Sequence, residues 1–176
     1  MPANYDPDIH HRRSLRLRGY NYSQPGAYSV TIVTQCRECL FGEVIDGRMI
    51  LNDAGDLVKQ AWENLPNRFP SVDLDAFIVM PNHLHGIIVV IEGDTSRSAP
   101  NQKMPALGDI MRAFKSISAI DVNRILSRRD QPVWQRNYHD HIIRNERDLD
   151  NRRQYIVDNP GRWAEDEENP NRQITG

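Results

Sequence analysis

Two apolar runs, "VDLDAFIVM" at 72–80 and "LHGIIVVIE" at 84–92, stand on either side of "PNH". Each is too short for a buried helix and rich in β-branched residues, so the pair reads as two antiparallel strands lying centrally in a sheet. A central pair of this kind needs further strands beside it and helices over it. It also carries a chemical oddity, because His83 and His85 sit in the second strand. Residues i and i+2 of a strand share a face, so the two imidazoles project side by side while Leu84 turns to the other face.

The remaining elements follow from local pattern. "AYSVTIVTQ" at 27–35 alternates as a strand, and "FGEVIDGRMIL" reads as a hairpin turning at Asp46 and Gly47. In "NDAGDLVKQAWENLPNRF", Leu57, Ala61, Trp62 and Leu65 recur at helical spacing behind an Asn or Asp cap, with Pro66 helping to end the helix. A second, basic helix is predicted over "ALGDIMRAFKSISAIDVNRIL", with Leu107, Ile110, Met111, Phe114, Ile117 and Ile120 as its apolar stripe. "VWQRNYHDHIIR" leads into a last strand, and "NERDLDNRRQYIVDNP" opens on cap-like Asn145 and runs to Pro160. Strand, helix, strand, strand, helix, strand, helix is the order of an α+β, ferredoxin-like antiparallel sheet covered by helices, with an added C-terminal helix.

Composition narrows the function classes. A chain of 176 residues, 39% hydrophobic and 26% charged with net charge −2, is an ordinary globular domain. The longest apolar runs fall far below the roughly 20 residues of a membrane helix. The N-terminus is too polar for a secretory signal, so a cytoplasmic protein with no membrane partner is expected. Cys36 and Cys39 lack the second ligand pair of a zinc ribbon and are expected to be reduced thiols at a strand end. Charge is uneven: Arg97 to Arg153 holds 12 Lys or Arg against 7 Asp or Glu, "HHRRSLRLR" adds four positive charges, and "WAEDEENP" is acidic. Two basic segments in a mildly acidic chain point to a polyanionic partner.

Parallel imidazoles on a rigid strand form a bidentate half-site for a divalent ion; the plain alternative is two locally hydrogen-bonded histidines. His139 and His141 repeat the spacing in "NYHDHII". Tyr155 and Asn159, four apart, share one face of the final helix, whereas Leu149 and Ile156 lie on another and would pack on the sheet. A tyrosine becomes a useful nucleophile when nearby positive charge stabilises its oxyanion, and an Asn carbonyl is a ligand for a hard cation. The alternative is that Tyr155 is an amphipathic packing residue.

"MPNHLHGIIVV" resembles the His-hydrophobic-His motif of the single-tyrosine transposases. Together with "VWQRNYHDHIIRNERDLDNRRQYIVDNP", it is most similar to their REP-associated branch, with its Trp-Gln-Arg segment, His-x-Ile-Arg-Asn strand and closing Tyr-Ile-x-x-Asn-Pro helix. The resemblance spans roughly 20–163 and divides the chain into a basic arm at 1–19, one catalytic domain at 20–163 and an acidic tail at 164–176. It implies that His83, His85 and Asn159 bind Mg2+ or Mn2+, with Asn159 standing where insertion-sequence members carry Gln. It further implies that Tyr155 is the nucleophile, cutting and rejoining single-stranded or hairpin DNA through a 5′-phosphotyrosine. Arg12, Arg13, Arg16, Arg18, Arg112, Lys115, Arg128, Arg129, Arg136 and Arg144 are then candidates for contacting DNA. Insertion-sequence relatives work as dimers, whereas the REP-associated branch need not.

Other readings remain open from the sequence alone. One is a zinc hydrolase using His83, His85 and either His139 or His141. Another is a non-catalytic single-strand binder that stacks bases on Tyr28, Phe41 or Phe77. Tyr138, beside the second histidine pair, is a rival nucleophile.

Overall fold

The computed structural model describes residues 25–91 and 104–172, so the basic arm and its four arginines lie outside the described residues. Strand β1 (Gly26–Val33) is followed by β2 (Gly42–Ile45) and β3 (Arg48–Leu51), then α1 (Asp53–Glu63) and the short α2 (Leu65–Arg68). After these come β4 (Val72–Met80), β5 (His83–Val90), α3 (Leu107–Ile125), β6 (His139–Ile143) and α4 (Glu146–Asp158). The four long strands pair antiparallel in the order β4-β5-β1-β6, the ferredoxin-like arrangement expected from the sequence. β5 is therefore a central strand, with β4 and β1 on its flanks.

Local chemistry accounts for the element ends. Asp46 and Gly47 both have positive φ, 49° and 71°, as a two-residue primed turn between β2 and β3 requires. Asn52 caps α1 by accepting from the Gly55 amide, and Asn145 caps α4 by accepting from the Asp148 amide. The expected stop at Pro66 is displaced: α1 ends at the Asn64 cap, and Pro66 sits in the first turn of α2, where a missing N–H costs nothing.

α1 and α3 cover one face of the sheet. Leu84, Ile88 and Val90 of β5 and Tyr28, Val30 and Ile32 of β1 meet Trp62, Phe114 and Trp134 in this core. Trp62 and Phe114 pack edge to face at 5.2 Å, an arrangement that favours aromatic rings beyond their burial. Gly86 makes room for Trp62, since a Cβ there would lie 2.3 Å from the indole ring. The stripe predicted for α3 changes course after Phe114. Ile117 and Ile120 are exposed, whereas Ser118 and Val122 continue the buried row. The reason is Trp134, whose indole N–H donates to the Ser118 hydroxyl at 2.9 Å, so the buried face needs an oxygen there.

α4 packs against β4 and β5. Register puts Ile78 and Met80 beside His85 and His83, with Thr31 and Val33 on the β1 side, so this second layer covers the histidine-bearing face. No helix among the described residues is long and apolar enough to cross a membrane.

Candidate metal centre and tyrosine

Strand alternation delivers His83 and His85 to one face, and their rings stand 4.6 Å apart. Both are buried. The His83 Nδ1 proton is donated to Asn82 Oδ1 at 2.8 Å, because an amide oxygen can only accept. Asn82 is held in that orientation by its own Nδ2, which donates to the carbonyl oxygens of Arg37 and Glu168 at 3.0 and 2.7 Å. His85 Nδ1 lies 2.7 Å from the Thr31 hydroxyl, its neighbour in register on β1. Both Nδ1 atoms are thus engaged, and both Nε2 atoms remain for another partner.

Neither Nε2 has a hydrogen-bond partner, nor does Asn159 Oδ1, although all three atoms are buried. Unpaired buried polar atoms are costly, so three together are a signal. Asp166 completes the group: its Oδ2 lies 3.7 Å from His83 Nε2, and one ligand atom from each of His83, His85 and Asp166 falls within 4.8 Å of the others. Imidazole nitrogens with carboxylate and amide oxygens are a donor set that suits a divalent cation. Burial pushes the pKa of His83 down, against the pull of Asp166, Glu168 and Asn159, and pushes that of His85 well below the ordinary value with help from His83. Both imidazoles are thereby kept in the neutral form that binds metal.

Tyr155 extends the site outward. Its ring stands 5.1 Å from that of His85, and it is 44% exposed in a cavity of about 570 Å3 that Asn159, His139 and Arg162 also line. Burial raises the pKa of its hydroxyl, and Asp166 adds to the rise while the Asn159 amide opposes it. The phenol therefore stays protonated near neutrality unless positive charge arrives beside it.

α4 is set in place by Ile156, buried as expected, and by Arg153, whose guanidinium donates to both carboxylate oxygens of Asp75 at 2.8 and 2.7 Å. Asp75 is presented by a bulge in β4, where the register shifts between Leu74 and Phe77. Beyond α4, a 3-10 segment at Pro160–Glu165 turns the acidic tail back over the histidines. Glu168 is buried there and accepts from Arg37 Nε at 2.8 Å, and Asn169 donates to the Trp163 carbonyl.

The sequence candidates fare unevenly. His83, His85, Tyr155 and Asn159 converge, and His139 reaches the cavity, but His141 turns to Asp148 at 2.8 Å. Tyr138 is buried in the main core across the sheet, and so are Tyr28 and Phe41, while Phe77 lies against Trp62; no stacking platform forms from them. Lys115 donates to the Gln135 and Arg136 carbonyls, and Arg128 is paired with Glu38. Arg112 pairs with Asp109 on α3, beneath the opposite face of the sheet, whereas Arg129, Arg136 and Arg144 are exposed. Cys36 and Cys39 are free thiols. Sequence reasoning missed Asp166, Asn82, Thr31 and the Arg153–Asp75 pair. Only Asp166 left a trace, inside an acidic run that resembles a solvated tail.

No family model matches the chain. It is 43% identical over 178 residues to an uncharacterized protein of Haemophilus influenzae, covering 95% of this chain and 98% of that one. A second Haemophilus influenzae protein, described as a "putative REP-associated tyrosine transposase", is 26% identical over 148 residues, with 80% of this chain and 73% of the relative covered. Among solved structures, a REP-associated tyrosine transposase bound to a REP hairpin superposes with a TM-score of 0.58 at 22% identity, over 84% of this chain and 73% of the other. At that identity the likeness speaks for the fold.

Proposed function

We propose that the chain is a member of the REP-associated tyrosine transposases, a DNA-processing enzyme that cuts and rejoins single-stranded or hairpin DNA through Tyr155; the 26% identical relative described by that name and the fold shared with a solved REP-associated transposase support the reading. One observation carries the reading: three buried polar atoms without partners, His83 Nε2, His85 Nε2 and Asn159 Oδ1, belong to residues grouped beside a half-exposed tyrosine, with His85, Asn159 and Tyr155 lining one cavity and His83 packed against His85. His83, His85 and Asp166, with Asn159 alongside, would hold a divalent ion, and such an ion would supply positive charge beside a scissile phosphate. The mixture of imidazole and hard oxygen donors favours Mn2+ at least as well as Mg2+.

In this mechanism the Tyr155 oxygen attacks the phosphorus in line as its proton leaves. The bond from phosphorus to the 3′ oxygen breaks, a 3′-hydroxyl departs, and a 5′-phosphotyrosyl ester remains. The ester retains the free energy of the phosphodiester, so a second 3′-hydroxyl can displace Tyr155 and join strands without ATP. In this reading His83 and His85 stay neutral and act as ligands, Asn82 holds the tautomer of His83, Thr31 orients the ring of His85, and the catalytic unit comprises 20–163 together with the folded-back tail.

The test mixes the protein with labelled DNA hairpins bearing single-stranded flanks in Mn2+ and looks for an adduct that survives denaturant. Wild type and Tyr138→Phe should form it, and Tyr155→Phe should not. An adduct that persists in Tyr155→Phe, or that disappears only in Tyr138→Phe, removes this nucleophile; no adduct on any hairpin removes the enzyme reading.

A further inference from the structure

Both signs of charge line the cavity. The tail presents Glu165, Asp166 and Glu167, and a DNA phosphate would meet like charge along it. On α4, Arg152 and Tyr155 share a helical face, Asn159 caps the helix, and Arg162 follows in the 3-10 segment. Tyr155 and Asn159 thus stand between Arg152 and Arg162 in the chain. Neither arginine is tightly engaged: Arg152 Nε is 3.7 Å from Asp148, and the Arg162 guanidinium is 3.9 Å from Asp158 and 68% exposed. Arg162 lines the cavity itself, and Arg152 stands one helical turn before Tyr155 on α4. By contrast, Arg153 on the adjoining face is committed to Asp75.

We propose that Arg152 and Arg162 are phosphate-anchoring residues that grip the backbone on either side of the bond Tyr155 cuts, offsetting the acidic tail for a single strand that passes the tyrosine. The inference rests on the reading of Tyr155 given above and deepens it by naming the path of the substrate. Two cations, one before and one after the nucleophile in the chain, offer a backbone phosphate contact on either side of the scissile bond. Both are arginines, whose forked donors match a phosphate's paired oxygens. Neither stood among the sequence candidates, which lay in the basic arm, on α3 and between α3 and α4.

The test uses the full chain carrying Tyr155→Phe, loaded with Mn2+, and measures binding of a fluorescent hairpin with single-stranded flanks over a range of salt. Each phosphate contact to a single strand contributes about 0.7 to the slope of log K against log salt. Arg152→Gln and Arg162→Gln should each lower the slope by about 0.7 and together by about 1.4, while Arg68→Gln at the end of α2 leaves it unchanged. Arg152→Lys and Arg162→Lys should keep the slope, which a purely structural role would not predict. Slopes that stay at the parent value in both Gln variants, or that fall equally in Arg68→Gln, overturn the proposal. The adduct assay on the protein with Tyr155 intact separates the failures: an adduct with unchanged slopes removes only the arginine path, whereas no adduct removes the reading of the site and this path with it.

Discussion

At the scale of single residues, the site depends on atoms that touch no substrate. Asn82 is fully buried, accepts from His83 Nδ1 and spends both amide hydrogens on carbonyls 45 and 86 residues away in sequence. Such partners of metal-binding histidines set tautomer and ring angle, and losing one typically lowers metal affinity by roughly 10–100-fold. Asn82→Ala should therefore weaken Mn2+ binding within that range in a calorimetric titration while Tyr155 is untouched. Unchanged affinity would show that His83 orients itself. Gly86 makes a stability prediction of a different kind. A methyl group there meets the Trp62 ring at 2.3 Å, so Gly86→Ala should destabilise the fold by about 1–3 kcal/mol, read as a lower urea midpoint at constant m.

At the scale of elements, α4 carries Tyr155, and it is held lightly. Its buried apolar contribution is Ile156, and its polar anchor is the Arg153–Asp75 pair at the β4 bulge. The Arg153 guanidinium holds the Asp75 carboxyl below its ordinary value of 3.8. A carboxyl with a depressed folded pKa contributes stability that is present above the unfolded value and lost as pH falls through the folded one. Acid unfolding of wild type should thus include a component below about pH 3.8 that Asp75→Asn lacks. The same substitution should lower adduct yield at neutral pH more than it lowers the melting temperature, because it loosens the tyrosine's helix and spares the main core. Equal losses in both would mean that α4 and the core unfold as one unit.

The elements themselves were largely legible. Asp46-Gly47, Asn52 and Asn145 are local signals that act within a few residues, and the structure uses each as expected. The stripe of α3 was misjudged at Ile117 and Ile120 because helical periodicity cannot see Trp134 coming from another segment to claim Ser118. The basic residues were misjudged for a related reason. Lys115 and Arg128 are cations in the sequence, but the fold gives them carbonyl and carboxylate partners.

At the scale of the whole molecule, the acidic tail becomes a wall of the site. Glu168 is tied to Arg37, and the backbone between it and Trp163 carries Asp166 to His83. Asp166→Asn should weaken Mn2+ binding by roughly tenfold or more, and a chain ending at residue 163 should bind no better than that variant. Both effects are measurable by Mn2+ titration, with retained far-ultraviolet circular dichroism as the check on folding. Full affinity in the shortened chain would show that the two histidines and Asn159 suffice.

What the sequence determined by itself is short in range. The two-residue period of a strand puts His83 and His85 together, and the four-residue spacing of a helix puts Tyr155 with Asn159. Only the tertiary structure decided that α4 would lie over the histidine face, that Tyr155 would stand in the cavity while Tyr138 went into the core, and that Asp166 would return to within reach of His83. The physical reason is that periodicity is imposed by the covalent geometry of neighbouring residues. Contacts between distant residues depend on which surfaces bury one another, and no local pattern in "WAEDEENP" distinguishes a ligand from a solvated charge.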